Sequence, residues 1–573
     1  MKQTKRLLTV VICVMLAGMS GMVAAVQAQA PEDNVFAVIK ISNPEALLPE
    51  IAGLVDKFQP GFGGMVNSMM VGSQVFKNPE WKGMDMAGGY TAVVLNPMMY
   101  MPNPVGIIVP LTNKDEYIEA LSETLTGGEE TDGVYNFIQP NQKSLMVGIA
   151  GNAAILTESP EVVAQVKALV ESNSAALSDV PVVKGQIAAS IDLEKIFTAM
   201  QPMIDMFKQQ ALAGMAQDEQ MPGGVEEMLE AEINILLDMF QQTKQVQLGI
   251  GIEPEGVRLA KAVFPVEDSD LSAFMAAQMP KSSNVMGMIP GDSAVLMSGS
   301  INFTPEFKEG YMGFLKAAVG AGEVFDEATS EKIEVWVEKA FDAFGSDLAV
   351  GMLSPTSDSI VTEVLSLKDA AKAKELMAEY PEIFEMMTGQ MMDEAVEKIG
   401  LDIKMSLAES VETKGGEILS YDFNLGADVI PDPNGQEAFK QLLGEKLSLP
   451  IGFTDQYAIV GFGKGGQAQV ASIMEVLDSG AKTAAAVSPA AFGLPEENNL
   501  FMFLSVPKIL AWAKAKNVPG LPPFEVKEGP GVAMAGRFVE SHFEGELYLP
   551  VEELLILKGI SGQAKGAAAP PAQ

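Results

Sequence analysis

The chain has 573 residues, 48% of them hydrophobic, and 75 acidic against 38 basic side chains, a formal net charge of −37. Such a charge disfavours nucleic acid and anionic lipid surfaces as partners. A single cysteine, Cys13, and a single histidine, His542, exclude Ser-His-Asp and Cys-His catalysis nearly everywhere, together with zinc sites built on several His or Cys ligands. Carboxylates, lysines, hydroxyls and thioethers remain, and no cofactor is expected.

Residues 1–28 read as an export signal. Lys2, Lys5 and Arg6 precede an apolar run over 7–19, and small residues follow in "VAAVQAQA". Cleavage after Ala28 would remove Cys13, so the mature chain would hold no thiol or disulfide. Loss of three basic residues takes −37 to −40. Cys13 follows Ile12 rather than a small residue, which argues against a lipid anchor. No later apolar run reaches the roughly 18 residues of a membrane span. The expected location is the periplasm or the exterior.

Residues 31–265 read as a first α+β domain. A strand begins at Val35 and passes into a helix at Asn43-Pro44-Glu45, a capping side chain followed by Pro and an acid. Residues 96–104, "NPMMYMPNP", connect two strands. Their Met98, Met99, Tyr100 and Met101 are expected as an apolar contact tip on a proline-stiffened turn. A strand and helix start at Ala153. A helix is expected over 193–216, then a second in which Val225, Met228, Leu229, Leu236 and Phe240 fall at helical spacing. A hairpin closes at Pro265. Residues 266–292 read as a connector with one helix. Residues 293–560 read as a second α+β domain with helix-rich inserts at 323–344 and 381–411, and 561–573 as a flexible Ala/Pro tail.

The two domains share a plan. Thr304-Pro305-Glu306 repeats Asn43-Pro44-Glu45. Ala164-Gln165-Val166 falls on Ala468-Gln469-Val470, Lys195-Ile196 on Lys508-Ile509, and Pro265 on Pro550. Each half reads strand–helix, hairpin–helix, hairpin–helix, strand–helix, hairpin. Hairpins imply antiparallel pairing, and helices mainly on one face of each sheet. This order, with "ILTESPE" from Ile155 to Glu161, resembles a family of exported bacterial proteins of unknown function. That resemblance implies repeated strand-helix and hairpin-helix domains and brings no catalytic residues.

The remaining motifs have plain explanations. "GFGKGG", Gly461–Gly466, opens a helix after a strand, where a glycine loop can cradle phosphate. The other half has "TESPEV" there, so a turn is expected. His542 lies on one face of a strand with Glu544, Glu546 and Tyr548, expected to face solvent. "DPNGQE", Asp432–Glu437, offers oxygen donors without the spacing of a calcium loop. Methionine is abundant, at 36. Met65, Met69 and Met70, then Met386, Met387, Met391 and Met392, form clusters that could hold Cu(I) or fill a core. Trp81, Trp336 and Trp512 are too scattered for a sugar platform. The composite expectation is an exported, non-enzymatic binding or envelope-structural protein with an unknown protein or apolar partner. The alternatives are a carrier of an apolar small molecule or lipid, and a carboxylate hydrolase whose acid pair the sequence does not name.

Overall fold

The computed structural model describes residues 31–178, 182–215, 233–234, 237–320, 327–399, 403–425, 440–444, 446–479, 487–518 and 528–567. The expected export signal, Val225, Met228, Leu229, Leu236 and Asp432–Glu437 lie outside them. The chain forms two units. One takes residues up to Ala211 with Phe240–Val266, and the other takes the remainder; the helix Leu193–Met215, which crosses this boundary, is described with the first.

The first unit contains β1 (Val35–Ile41), α1 (Pro44–Phe58), β2 (Tyr90–Leu95), β3 (Val105–Pro110), α2 (Lys114–Thr124), β4 (Thr126–Thr131), β5 (Val134–Ile138), β6 (Ser144–Ala150), β7 (Ala153–Thr157), α3 (Pro160–Glu171), β8 (Ile187–Asp192), α4 (Leu193–Met215), β9 (Thr243–Glu253) and β10 (Gly256–Pro265). Its strands pair antiparallel throughout, in the order β10-β9-β8-β1-β2-β3-β7-β6-β5-β4. The helix starts follow their sequence signals. Asn43 accepts from the amide of Ala46 at 3.1 Å, and Ser159 from that of Val162 at 3.4 Å.

The second unit contains α5 (Asp270–Ala276), β11 (Val295–Ser300), α6 (Pro305–Gly320), α7 (Glu327–Ala343), β12 (Phe344–Met352), β13 (Val361–Leu367), α8 (Ala370–Ile399), β14 (Ile403–Leu407), β15 (Val411–Thr413), β16 (Gly416–Leu425), β17 (Leu447–Phe453), β18 (Tyr457–Phe462), α9 (Gly466–Asp478), β19 (Leu500–Leu504), α10 (Val506–Ala515), β20 (Val532–Val539), β21 (His542–Pro550) and α11 (Val551–Ala567). The antiparallel order is β21-β20-β19-β11-β12-β13-β18-β17-β16, with β14 and β15 along the far side of β16.

The expected one-sided helix layer is corrected: helices cover both faces of each sheet. On β7, Ile155 joins Val162, Val166 and Leu169 of α3 in one core. Its neighbours Ala154 and Leu156 point the other way, into a core with Tyr117 and Leu121 of α2. In the second unit Ile418 packs with Val470, Ile473 and Met474 of α9. Leu419 packs with Ala373 and Leu376 of α8 on the opposite face. Successive strand residues alternate faces, so a strand apolar at adjacent positions must be covered twice.

Three further expectations change. The hairpin before α3 is part of a four-stranded meander, β4 to β7, whose outermost strand "TGGEET" carries no apolar alternation to announce it. The helix-rich insert 381–411 ends its helix at Ile399 and continues as strands β14 and β15. Residues 561–567, expected in the tail, continue α11.

Tyr117 is fully buried, and among the described residues its hydroxyl has no hydrogen-bond partner. Burial also pushes its phenol pKa far up. An unpaired buried hydroxyl costs about 1–3 kcal/mol. Tyr117→Phe should therefore leave stability unchanged or raise it by up to about 1 kcal/mol in urea unfolding. A clear loss of stability would show that the hydroxyl has a partner.

Candidate functional site

The Met-rich turn divides in two. Asn96 organises it: its side chain accepts from the amide of Met98 at 2.9 Å, and its carbonyl from those of Met99 and Tyr100, each at 3.1 Å. Tyr100 packs against the core of Val35, Leu95 and Ile155, and burial raises its pKa. Met98 and Met99 are half-buried, and Met101 is 45% exposed beside a cis bond to Pro102. Only Met101 therefore presents itself as an exposed apolar side chain.

The glycine turn 461–466 is occupied by the protein's own main chain. The amide of Lys464 donates to the carbonyl of Leu442, that of Gly465 to Asp358, and that of Gly466 to Gly463. A Cβ on Gly461 would lie 2.5 Å from the carbonyl oxygen of Gly466, so close strand–helix packing explains the glycine. Asp358, beside this turn, is held below the usual carboxylate range by Lys516 at 2.6 Å.

His542 corrects its expected placement. Its side chain is 14% exposed, and its Nε2 lies 3.2 Å from Glu544 Oε1. Arg537 donates from Nε and Nη2 to Glu544 Oε2 at 2.9 and 2.7 Å. The same face of the hairpin carries Ala533, Ala535 and Tyr548, which pack in the main core of this unit. The opposite face is covered as well, with Phe538 packed edge-on against Phe543 and Phe274.

Trp81 and Trp336 are spent on packing. Trp81 donates to the Ser68 carbonyl at 2.7 Å and Trp336 to that of Leu376 at 3.1 Å. Met386 joins the small core of Ile333 and Ile383, and Met387, Met391 and Met392 follow it in α8. Phe240 stacks on Phe197 of α4 at 5.8 Å. Among the described residues no three His, Cys, Asp or Glu side chains lie close enough to hold a metal.

Two features were not recognised as sites in the sequence, although Met65, Met69 and Met70 of the first stood out there as a cluster. The first is the stretch 58–76, "FQPGFGGMVNSMMVGSQVF", which holds no charged residue and is bounded by Lys57 and Lys77. Residues 86–113 are also uncharged, but they build the central strands β2 and β3. The stretch 58–76 is different because it is exposed: Phe62 at 44%, Met69 at 63%, Met70 at 40% and Val75 at 51%. Part of its polar groups is used internally. Asp56 Oδ1 accepts from the amides of Gly61 and Gly63 at 2.8 and 3.2 Å. Asn67 caps the turn Ser68–Val71 through the amide of Met70 at 2.8 Å. A π-helical turn, Gly72–Phe76, follows. A Cβ on Gly72 would lie 2.5 Å from the Asn78 carbonyl oxygen. The absence of charge outside any strand or long helix was the available signal.

The second is a cavity of about 230 Å³ at the start of β1. A bulge between Val35 and Ala37 locally breaks the strand register there. Val35, Phe36, Val38 and Ala176 supply its apolar lining, and Glu32, Lys40, Asp192 and Lys195 its charged one. Asp192 accepts from the Lys195 amide at 2.9 Å and pairs with its ammonium at 3.3 Å. That ammonium also donates to the Glu32 carbonyl at 3.0 Å. The Glu32 carboxylate accepts from Ser174 at 3.1 Å. Gln245 donates its amide to Ser190 at 2.7 Å. An amide donor is no base, so this arrangement suits Ser190 to binding rather than attack.

No family model matches this chain, and neither a curated protein nor a solved structure matches it.

Burial raises the pKa of Glu544, but its bonds to Arg537 and His542 outweigh that, and the net shift is below the usual 4.5. A depressed carboxyl pKa adds stability above 4.5 that is lost as pH falls through the folded value. Urea unfolding from pH 7 to pH 3 should therefore show a smaller acid loss for Glu544→Gln than for wild type. Parallel curves would remove this group as a source of acid sensitivity.

Proposed function

We propose that this is an exported, non-enzymatic binding protein of two related α+β halves, attached to an uncharged or zwitterionic lipid surface through residues 58–76. The observation that carries the reading is the exposure of Phe62, Met69, Met70 and Val75 in a 19-residue stretch without charge, on a chain of net charge −37. Exposed apolar clusters of this kind mark contact sites. Apolar side chains at the headgroup boundary bury area there, while flanking lysines keep their ammonium groups in the polar layer. The stretch offers four exposed apolar side chains and no charge, which suits acyl chains better than the polar, charged rim of a protein interface. Among the described residues no helix is long and apolar enough to cross a membrane.

The kinship of the halves is supported by their strand orders, which match position for position from β10 to β5 and from β21 to β16. It is supported again by the repeated cap, since Thr304 accepts from the amide of Phe307 at 3.1 Å as Asn43 does from Ala46. Export is supported by the basic, apolar and small-residue order of 1–28. The likeness to the exported bacterial family belongs to the same proposal and rests on "ILTESPE" and the shared element order.

Co-sedimentation of the mature chain with phosphatidylcholine vesicles tests the attachment. Wild type should pellet with the vesicles. Burying three half-exposed side chains contributes about 3 kcal/mol, so the triple variant Phe62→Ser, Met69→Ser, Met70→Ser should bind roughly a hundredfold more weakly. Phosphatidylglycerol vesicles at low salt should bind less, through repulsion by the acidic chain. Folded wild type that ignores phosphatidylcholine, or a triple variant that binds as well, sinks the reading.

A further inference from the structure

We infer that the cavity at the β1 bulge is a binding site for a small, net-neutral dipolar molecule that carries both an ammonium and a carboxylate, of amino-acid size.

Size sets the first limit. About 230 Å³ falls below the roughly 300–1,000 Å³ of pockets for drug-sized ligands. It still exceeds the room one water needs, about 10–15 Å³, many times over.

Charge sets the second. Glu32 and Asp192 contribute two negative charges, and Lys40 and Lys195 two positive ones, so the lining sums to zero. The chain as a whole carries −37. Its field opposes a small anion and attracts cations to every acidic patch without selecting this one. A molecule with both charges escapes the net field and is oriented by the local one.

Hydrogen bonding sets the third. Donors for a carboxylate are present in Lys195 and the Gln245 amide. Acceptors for an ammonium are present in the Glu32 and Asp192 carboxylates. Ser190 lies among these groups in the lining and already accepts from the Gln245 amide at 2.7 Å. The apolar floor of Phe36 and Val38 excludes competing water from one side.

The second unit shows how such a site is closed. Lys508, the counterpart of Lys195, lies 5.2 Å above the Phe503 ring and reaches the Ser293 carbonyl at 3.5 Å. The aromatic ring takes the space beside the ammonium there.

Isothermal titration calorimetry on the mature chain tests the site. The whole ligands are glycine, serine and glutamine, and the half ligands are acetate and methylammonium. At least one amino acid should bind ten times more tightly than either half ligand. Ala176→Leu fills the cavity without removing a charge and should weaken that binding at least tenfold. Lys195→Met should do the same, but it also removes the tie to Glu32, so Ala176→Leu decides if Lys195→Met lowers the melting midpoint. The triple variant at Phe62, Met69 and Met70 should bind the amino acid as wild type does, which separates this site from lipid attachment. No binding of any of the three amino acids, equal binding of whole and half ligands, or unchanged binding in folded Ala176→Leu overturns the inference.

Discussion

The central strands are apolar at consecutive positions, and everything else in the molecule is arranged around covering them twice. Ile155 and Leu156 are both buried, though they point to opposite sides of β7. Ile418 and Leu419 do the same on β16. A one-sided helix layer would leave half of this surface in water, at about 25 cal/mol per Å². The chain therefore needs α2 on one face and α3 on the other in the first unit, and α8 and α9 in the second. The middle of each sheet is closed to ligands as a result. Chemistry is pushed to strand ends, to edges and to connections. The outer strand β4, "TGGEET", shows the edge rule: it is polar, glycine-rich and exposed, which discourages pairing with another chain.

Within that frame the two units carry different contents on matching strand orders. The lysine in the first turn after β8, Lys195, reaches back to the segment that enters β1. Lys508 does the same from α10 toward the segment that enters β11. The turn between the second and third strands differs more. In the first unit it is the Met- and Pro-rich stretch 96–104. In the second, Ser354 and Thr356 hold Asp292 with hydroxyl bonds of 2.6 Å each. Burial raises the Asp292 pKa, but those bonds and the Thr356 amide outweigh it and keep the group ionised. A turn is needed at both places, and its residues are free to differ.

The helix starts were legible in the sequence, because a cap is a local event. Asn43, Ser159 and Thr304 each accept from an amide three residues on. The strand-to-helix turn at 461–466 was legible for the same reason. The second cover layer was partly legible: "AAILT" is a continuous apolar run, the mark of a strand buried on both faces, and not an alternating one. The strands β4 and β15 were hidden, since the short exposed stretches "TGGEET" and "VET" carry neither alternation nor apolar runs. His542 misled because alternation separates two faces without saying which is covered. Tyr548, on the same face, packs at 6.5 Å from Phe492, a residue far from it in sequence.

The sequence by itself determined the acidic charge, the near absence of thiol and imidazole chemistry, the expected export signal, the helix caps and the antiparallel α+β class. Each of these is a property of composition or of residues a few positions apart. Only the tertiary structure decided that Tyr100 belongs to a core while Met69 stands in solvent. Only it brought Glu32, Lys40, Asp192 and Lys195 around one cavity. Burial and electrostatic pairing depend on distances between residues remote in sequence, and those distances exist only once the strands have taken their order in the sheet.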